Sequence, residues 1–504
     1  MKNEIRIYLI WTLVLTNLLY DEYWGLNALI VAIVTVGLLG YRNFFTAKNR
    51  VLTNQPVNDP FWYFGAAIWL ISATAVFLVG GWFQIFMYLI SMTYFGSLQD
   101  RKSVSVPFSP VQAVISFATG LGRIFHDTIT RFQGDNGSRS KKIARQVILF
   151  SVGVIICISF LKLYQLADAD FYALTSFINL DWISWGFIFF YILLTWILYG
   201  FYYYQSEPEV TKFDQSFKNE IAPDYSDNLE RFFGVKQERL LALFTLSILN
   251  LMLVLLLILD VRFLLNGFGI DKPVAEYSSL VHQGINALIF SLVLVILLIS
   301  FFFRGSLNFE NSKFLKYLGV IWLSLNCILV ITTGIKNYDY IAEFGFTYKR
   351  LGVLLYLFLC GIGLVFSVYK ILRIQSVWFL IRNTSLSFIF VFAIVSMFNW
   401  NQIIADYNIE HVKRERLDLE YLFELGPDAY PALMNFHVEN QQTNTDLFYR
   451  LVSAIESKLY YMEFERKAVS WRSFTLRDER LYQKLSRYHF QHEADETRDH
   501  SVRN

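Results

Sequence analysis

Eleven apolar runs, each of about 15–26 residues, are separated by connectors whose lysines and arginines fall almost wholly on one alternating set. A helix needs about 20 residues to cross the hydrocarbon layer of a bilayer, so runs of this length predict transmembrane helices. The runs cover 5–20, 24–40, 61–79, 82–98, 146–165, 183–204, 239–263, 282–303, 316–335, 351–370 and 382–398. The first two are short and closely joined, which also suits a tilted or partly inserted hairpin. Gly80-Gly81 between the third and fourth predicts a tight helical hairpin. With 55% hydrophobic and only 17% charged residues, the chain lies outside the range of soluble proteins of its length. The predicted fold is all-α: a polytopic bundle of about eleven spans with a small C-terminal helical domain outside the membrane.

Basic residues set the expected orientation. One set of connectors, with the N-terminus, carries 24 of them: Lys2, Arg6, Arg42, Lys48, Arg50, Arg101, Lys102, Arg123, Arg131, Arg139, Lys141, Lys142, Arg145, Lys212, Lys218, Arg231, Lys236, Arg239, Arg304, Lys313, Lys316, Lys370, Arg373 and Arg382. The other set holds six: Lys162, Arg262, Lys272, Lys336, Lys349 and Arg350. Because basic loops stay cytoplasmic, the N-terminus is expected inside and, with an odd number of spans, the tail outside an inner membrane. The 336–350 loop is nearly as basic as the 370–382 loop, so the last two spans carry the weakest part of this signal.

These patterns divide the chain into N-terminal transmembrane hairpins (1–98), a cytoplasmic basic loop (99–145), a transmembrane bundle (146–398) and an extracytoplasmic helical tail (399–504). Met1–Tyr20 imitates a signal peptide, but Tyr20-Asp21-Glu22-Tyr23-Trp24 offers no small-residue cleavage site, so it reads as an uncleaved span. Within 99–145, Val111, Val114, Ile115, Ala118, Leu121, Phe125, Ile129 and Phe132 recur at helical spacing and predict a helix lying in the inner interface. In the tail, Leu417, Tyr421, Leu422 and Leu425 form an apolar stripe ended by Gly426-Pro427, with Asp428 placed to cap the next helix. Further helices are expected over Thr443–Lys467 and Leu476–Ser486.

Catalytic chemistry leaves little trace. Cys157, Cys327 and Cys360 lie singly in apolar runs, where cysteine acts as a small hydrophobe. His489, His492 and Glu493 sit near the chain end without a third well-placed ligand, so no metal and no cofactor are expected. A net charge of +2 gives no reason to expect nucleic acid. The mid-span polar residues, Thr195, Asn250 and Asn326, are neutral and suit hydrogen bonds between helices. That argues against an intramembrane carboxylate relay. Charges instead gather where spans end on the outer side. The candidate rim cluster comprises Asp260, Arg262, Lys336, Asp339, Tyr340, Glu343, Arg350, Asp406 and Asn408. Ordinary interfacial pairing explains each of them singly.

Around this rim the chain resembles a bacterial polytopic membrane family known only as a domain of unknown function (the 4153/4173 type). The residues that carry the resemblance are Tyr338 to Leu351, including Gly345-Phe346-Thr347 and Arg350-Leu351; Asn399 to Ile409, including Ala405-Asp406-Tyr407-Asn408; Asp418 to Leu433, including Gly426, Asp428-Ala429 and Pro431-Ala432-Leu433; and Trp471-Arg472-Ser473-Phe474 before Arg480. Phe346 stands where that family usually has leucine. The resemblance implies a bacterial inner-membrane protein and carries no catalytic residue with it. Arg350 and Asp406 fall on the same expected side, and their pairing would hold the tail against the bundle. Three classes of activity follow. Two are non-enzymatic and preferred: transport or lipid handling, with membrane lipid as partner, and docking of an envelope protein through 399–504. The alternative is an envelope enzyme acting on a lipid-linked substrate at the rim. A polar cavity reaching mid-bilayer favours transport, a shallow Asp/Arg cleft an enzyme, and a filled bundle with a bare apolar tail groove docking.

Overall fold

The computed structural model describes residues 2–47, 60–99, 105–133, 150, 153–154, 156–165, 167–175, 184–221, 234–265, 288, 290–309, 313–440, 445–468 and 470–488. The described residues form helices and no strand, apart from one isolated bridge between Glu220 and Gln375. The bundle helices are α1 (Lys2–Leu19), α2 (Leu26–Ala47), α3 (Pro60–Leu78), α4 (Trp82–Ser97), α5 (Ser109–Gln133), α6 (Ile156–Gln165), α7 (Ala169–Thr175), α8 (Trp185–Tyr202), α9 (Pro208–Ser216), α10 (Val235–Leu265), α11 (Phe290–Phe302), α12 (Lys313–Phe344), α13 (Tyr348–Arg373) and α14 (Val377–Val395). The tail adds α15 (Trp400–His411), α16 (Leu419–Glu424), α17 (Tyr430–Asn440), α18 (Thr445–Ala468) and α19 over 476–488.

Six of these helices are long and apolar enough to cross a membrane: α3, α8, α12, α13, α14 and the stretch Val235–Arg262 of α10. Shorter apolar stretches occupy Ile7–Leu19, Leu26–Arg42, Ile156–Gln165 and Phe290–Phe302. The expected spans 146–165 and 282–303 fall partly outside the described residues. Gly80 and Gly81 take positive φ, 67° and 103°, and reverse the chain between α3 and α4 as their spacing predicts. Side-chain caps define several starts: Ser184 accepts from Phe187 N, Thr347 from Arg350 N and Asn399 from Gln402 N.

Among the described residues two large apolar cores build the bundle. One joins α1–α4 to the last turns of α8, around Trp11, Trp69, Tyr88, Phe95 and Phe201. The other joins α10 to α13, around Leu246, Ile299, Phe303, Leu323 and Leu364. Helix α14 bridges them, its Ile389 and Ala393 packing with Ile68, Met87 and Tyr94 of α3 and α4. Of the neutral mid-span residues, Asn250 links helices, donating to Leu318 O on α12 at 3.2 Å. Asn326 instead bonds within its own helix, to Trp322 O, and the Thr195 hydroxyl finds no partner among the described residues.

Helix α5 forms where its periodicity predicts, with its faces sorted by membrane logic. Val111 and Val114 are 54% and 62% exposed, whereas Ser109, Gln112, Ala113 and Ser116 are buried. The buried face is small and polar, which lets backbones approach. A Cβ on Gly200 of α8 would lie 2.3 Å from Ser116 O, and Ser116 Oγ donates to Gly200 O at 2.9 Å. Val111, Val114 and Ala118 of the apolar stripe therefore face away from the bundle.

Side-chain contacts sort the connectors into two ends. At one end Asp214 of α9 accepts from Ser105 N and Oγ at 2.8 and 2.7 Å and pairs with Arg382 at 2.9 Å. Arg304 meets Glu238 there, and Lys370 Nζ donates to Phe303 O. These residues belong to the connectors that carry most of the basic residues. Burial opposes ionisation of Asp214, but its bonds to Ser105 and Arg382 outweigh burial and hold its pKa below the ordinary value. A lowered carboxylate pKa stabilises the fold above the unfolded-state value and loses that stability as pH falls through the folded value. The junction of residue 105, α9 and α14 is therefore expected to loosen in acid below about pH 3.9. Hydrogen exchange across α9 checks this: faster exchange on acidification beyond the intrinsic rate change in the native chain, and none in Asp214→Asn.

Candidate functional site

The opposite end holds the tail and the rim residues, which divide into separate arrangements. On the bundle, buried Asp260 pairs with Lys336 at 2.6 Å and accepts from Thr332 Oγ1 at 3.2 Å, closing α10 against α12. Arg262 is exposed and Asp339 half-buried. Farther along α12, Tyr340 is buried beneath the Arg350 guanidinium, whose carbon lies 4.3 Å from the ring centre. Arg350 donates to Phe344 O at 2.7 Å and Gly345 O at 2.5 Å, satisfying carbonyls where α12 ends. Glu343 pairs with Arg416 of the tail.

The expected Arg350–Asp406 pair does not form: Arg350 turns to those carbonyls, and exposed Asp406 accepts from Gln402 Nε2 at 3.2 Å. Asn408, two residues on, makes the joint instead. Its amide donates to Phe346 O at 2.9 Å while its carbonyl accepts from Phe346 N at 2.6 Å. The linker between α12 and α13 is thus read by one side chain as a strand partner would read it. Gly345 supplies the required positive φ of 78°. Tyr421 OH accepts from Tyr348 N at 3.1 Å, and Tyr348 OH donates to Asn401.

A second foot of the tail rests on the α1–α2 turn. Arg472 pairs with Glu22 at 2.5 Å, Ser473 Oγ donates to the same carboxylate, and Leu26 N donates to Phe474 O at 2.9 Å. Between the feet lies a charged staple. Arg477, at the start of α19, donates from Nε to Asp428 Oδ1 and Oδ2 at 2.8 and 3.0 Å and from Nη2 to Oδ2 at 2.5 Å. Asn399 Nδ2 reaches the same carboxylate at 2.9 Å. Asp428 therefore caps no helix; its carboxylate is committed to Arg477 and Asn399. Burial works against the Arg477 charge, but the bonds and charge of Asp428 outweigh it and raise its pKa above the ordinary value.

Beneath this staple is a cavity of about 890 Å³. Leu351, Leu355 and Phe358 of α13, Phe392 and Val395 of α14, and the Gly80–Gln84 turn form its walls. Tyr348, Asn399, Asn401, Asp428 and Arg477 form its polar end. Pockets of this size with apolar walls and a few placed polar groups are typical of small-molecule sites. Phe358 and Phe398 remain 59% and 46% exposed, so the apolar side is open laterally. The rim cluster drawn from charge at span ends contains none of the residues that line this cavity. The sequence singles out neither Gln84 nor Arg477; Tyr348, Leu351, Asn399, Trp400, Asn401 and Asp428 carry a signal as members of the resemblance segments, and Asp428 also as an expected helix cap.

Among the described residues no group of three His, Cys, Asp or Glu side chains is placed to hold a metal ion. His489, His492 and Glu493 lie outside the described residues. The three cysteines are free: Cys157 exposed, Cys327 half-buried and Cys360 buried.

Comparison with known proteins finds one family, a domain of unknown function (DUF4153), whose model matches residues 65–436. The match runs from within α3 to within α17, so it includes the Asn408 clamp and the Asp428 carboxylate. Neither the curated proteins nor the solved structures provide a match. The chain belongs to the DUF4153 family.

Proposed function

We propose that this DUF4153 protein is a non-enzymatic, multi-pass protein of a bacterial inner membrane that handles an amphiphile, a lipid or lipid-linked molecule, in the cavity between bundle and tail. The observation that carries this reading is the cavity itself. Its walls are apolar along α13 and α14, its open side is aromatic, and its polar groups are confined to the tail end. A water-soluble solute would find few partners along such walls, whereas an acyl chain would lie there with its polar end against the tail. The distribution of basic residues supports about eleven spans, a cytoplasmic N-terminus and an extracytoplasmic tail. The rim carboxylates Asp260 and Glu343, and Asp428 in the cavity, are each engaged by a basic side chain. That supports structural work for them over acid–base chemistry. Although Asp428 and Arg477 are the residue types expected of an enzyme cleft, they lie at one end of apolar walls and are bonded to each other. Tyr449, Tyr460, Tyr461 and Phe464, exposed on α18, favour a second reading in which the tail also docks an envelope protein.

Filling the groove tests the proposal. Leu355→Trp places a large ring in the wall; at a strain of 1–3 kcal/mol against a co-bound chain, retention falls by about tenfold. Protein extracted in mild detergent is expected to carry bound amphiphile, measured by mass spectrometry, and Leu355→Trp to carry about a tenth as much. Equal retention by both, or none by the native protein, refutes it.

A further inference from the structure

We infer that the polar end of the cavity selects an amphiphile bearing no net charge, because Asp428 neutralises the cation that would otherwise face the headgroup. This rests on the amphiphile reading and names its ligand class. Among the described lining residues the ionisable charges are Arg477 and Asp428, paired through Nε and Nη2 of the guanidinium and both carboxylate oxygens, while Nη1 lies 3.9 Å from half-exposed Asp478 outside the lining. Asn399 adds a further donor to the same carboxylate. The remaining polar lining is neutral: Tyr348, Trp400, Asn401 and Gln84. An anionic headgroup entering here meets a buried carboxylate and an already committed guanidinium. A cationic one meets the same pair from the other side. Amides and a phenol, by contrast, serve hydroxyls or a zwitterion, whose charges cancel as those of the site do.

The experiment uses the full chain in nanodiscs of equal parts phosphatidylethanolamine, which is zwitterionic, and phosphatidylglycerol, which is anionic. Lipid is measured on protein taken back into mild detergent, and the amount held by Leu355→Trp is subtracted so that only the groove is counted. The native protein is expected to hold phosphatidylethanolamine over phosphatidylglycerol by about tenfold, since juxtaposed like charges are strongly disfavoured. Asn401→Lys, which adds an uncommitted cation to the lining, is expected to bring the ratio to one or reverse it. A native preference for phosphatidylglycerol, or no preference, overturns the inference while leaving the amphiphile reading intact. So does an unchanged ratio in Asn401→Lys that retains the native proteolysis pattern. Groove-specific lipid absent from the native protein overturns both. If Asn401→Lys does not fold, the native ratio alone decides.

Discussion

Gly345→Ala is expected to loosen the tail from the bundle by about 3 kcal/mol, although it adds a single methyl group. The residue has φ of 78°, which costs an alanine about 1 kcal/mol or more. The new Cβ would lie 2.4 Å from Asn408 Oδ1 and 2.7 Å from its Cγ. That amide is the clamp on Phe346, so relieving the clash means turning it away and losing both hydrogen bonds, each worth about 1 kcal/mol. Hydrogen exchange in α15 should then quicken by about a hundredfold, two powers of ten at 1.4 kcal/mol each. The closest clash and the clamp share one side chain, so their effects must not fully add. Asn408→Ala alone forfeits the two bonds, about 2 kcal/mol, and in that background Gly345→Ala should cost the backbone term of about 1 kcal/mol plus a small shift of Val412 Cγ2, which would lie 2.9 Å from the new Cβ. Additive costs across the four proteins would show that Asn408 does not transmit the strain.

The same joint shows what the sequence made legible. Hydropathy and the alternation of basic residues were enough to predict an all-helical membrane protein, and Gly80-Gly81 located its turn. The rim pairing failed by two positions. Arg350 and Asp406 lie on the two elements that do meet, but two residues along a helix rotate a side chain by about 200°, so Asp406 faces solvent and Asn408 faces the linker. Charge drew attention to the aspartate; the backbone groups of Phe346 required an amide, which both donates and accepts.

Helix ends were hidden for a related reason. The apolar run 316–335 stops where side chains become polar, yet α12 continues to Phe344 because its hydrogen bonds are internal to the backbone. Those polar turns carry Lys336 to Asp260 of α10, and Tyr340 and Glu343 to the joint. For α5 the periodicity was visible and predicted an interfacial helix; the small face that packs on the bundle was not singled out. In water an apolar stripe turns inward; beside lipid, the small face of Ser109, Ala113, Ser116 and Gly120 makes the contact. The cavity was illegible for want of contact information: Arg477 meets Asp428 across 49 residues, and neither position marks the other.

Asp428→Ala is expected to be the most damaging single change in the tail's interior, again about 3 kcal/mol, by a different route. The carboxylate side chain is 4% exposed and the Arg477 side chain 28%. Removing the aspartate strands the Asn399 amide and leaves a mostly buried guanidinium with only the half-exposed Asp478, 3.9 Å from Nη1, as counterion; breaking a buried pair from one side costs about 3–5 kcal/mol. The lower figure applies because Arg477 keeps some contact with water and the distant Asp478 carboxylate. The pair joins α19 to the Pro427–Ala429 turn and both to Asn399 at the base of α15, so its loss should open the tail as a unit. Trypsin should cut within α19 about a hundredfold faster, provided opening and closing are fast relative to cleavage. Replacing both partners by apolar residues, Asp428→Leu with Arg477→Met, removes the stranded charge and should recover at least about 2 kcal/mol of the loss. An Asp428→Ala protein as resistant as the native one would reduce the staple to an exposed ion pair, worth at most about 1 kcal/mol. The polar end of the cavity would then be a mobile surface, unable to exclude a headgroup by charge. Rigidity of this one pair is what allows the site to discriminate.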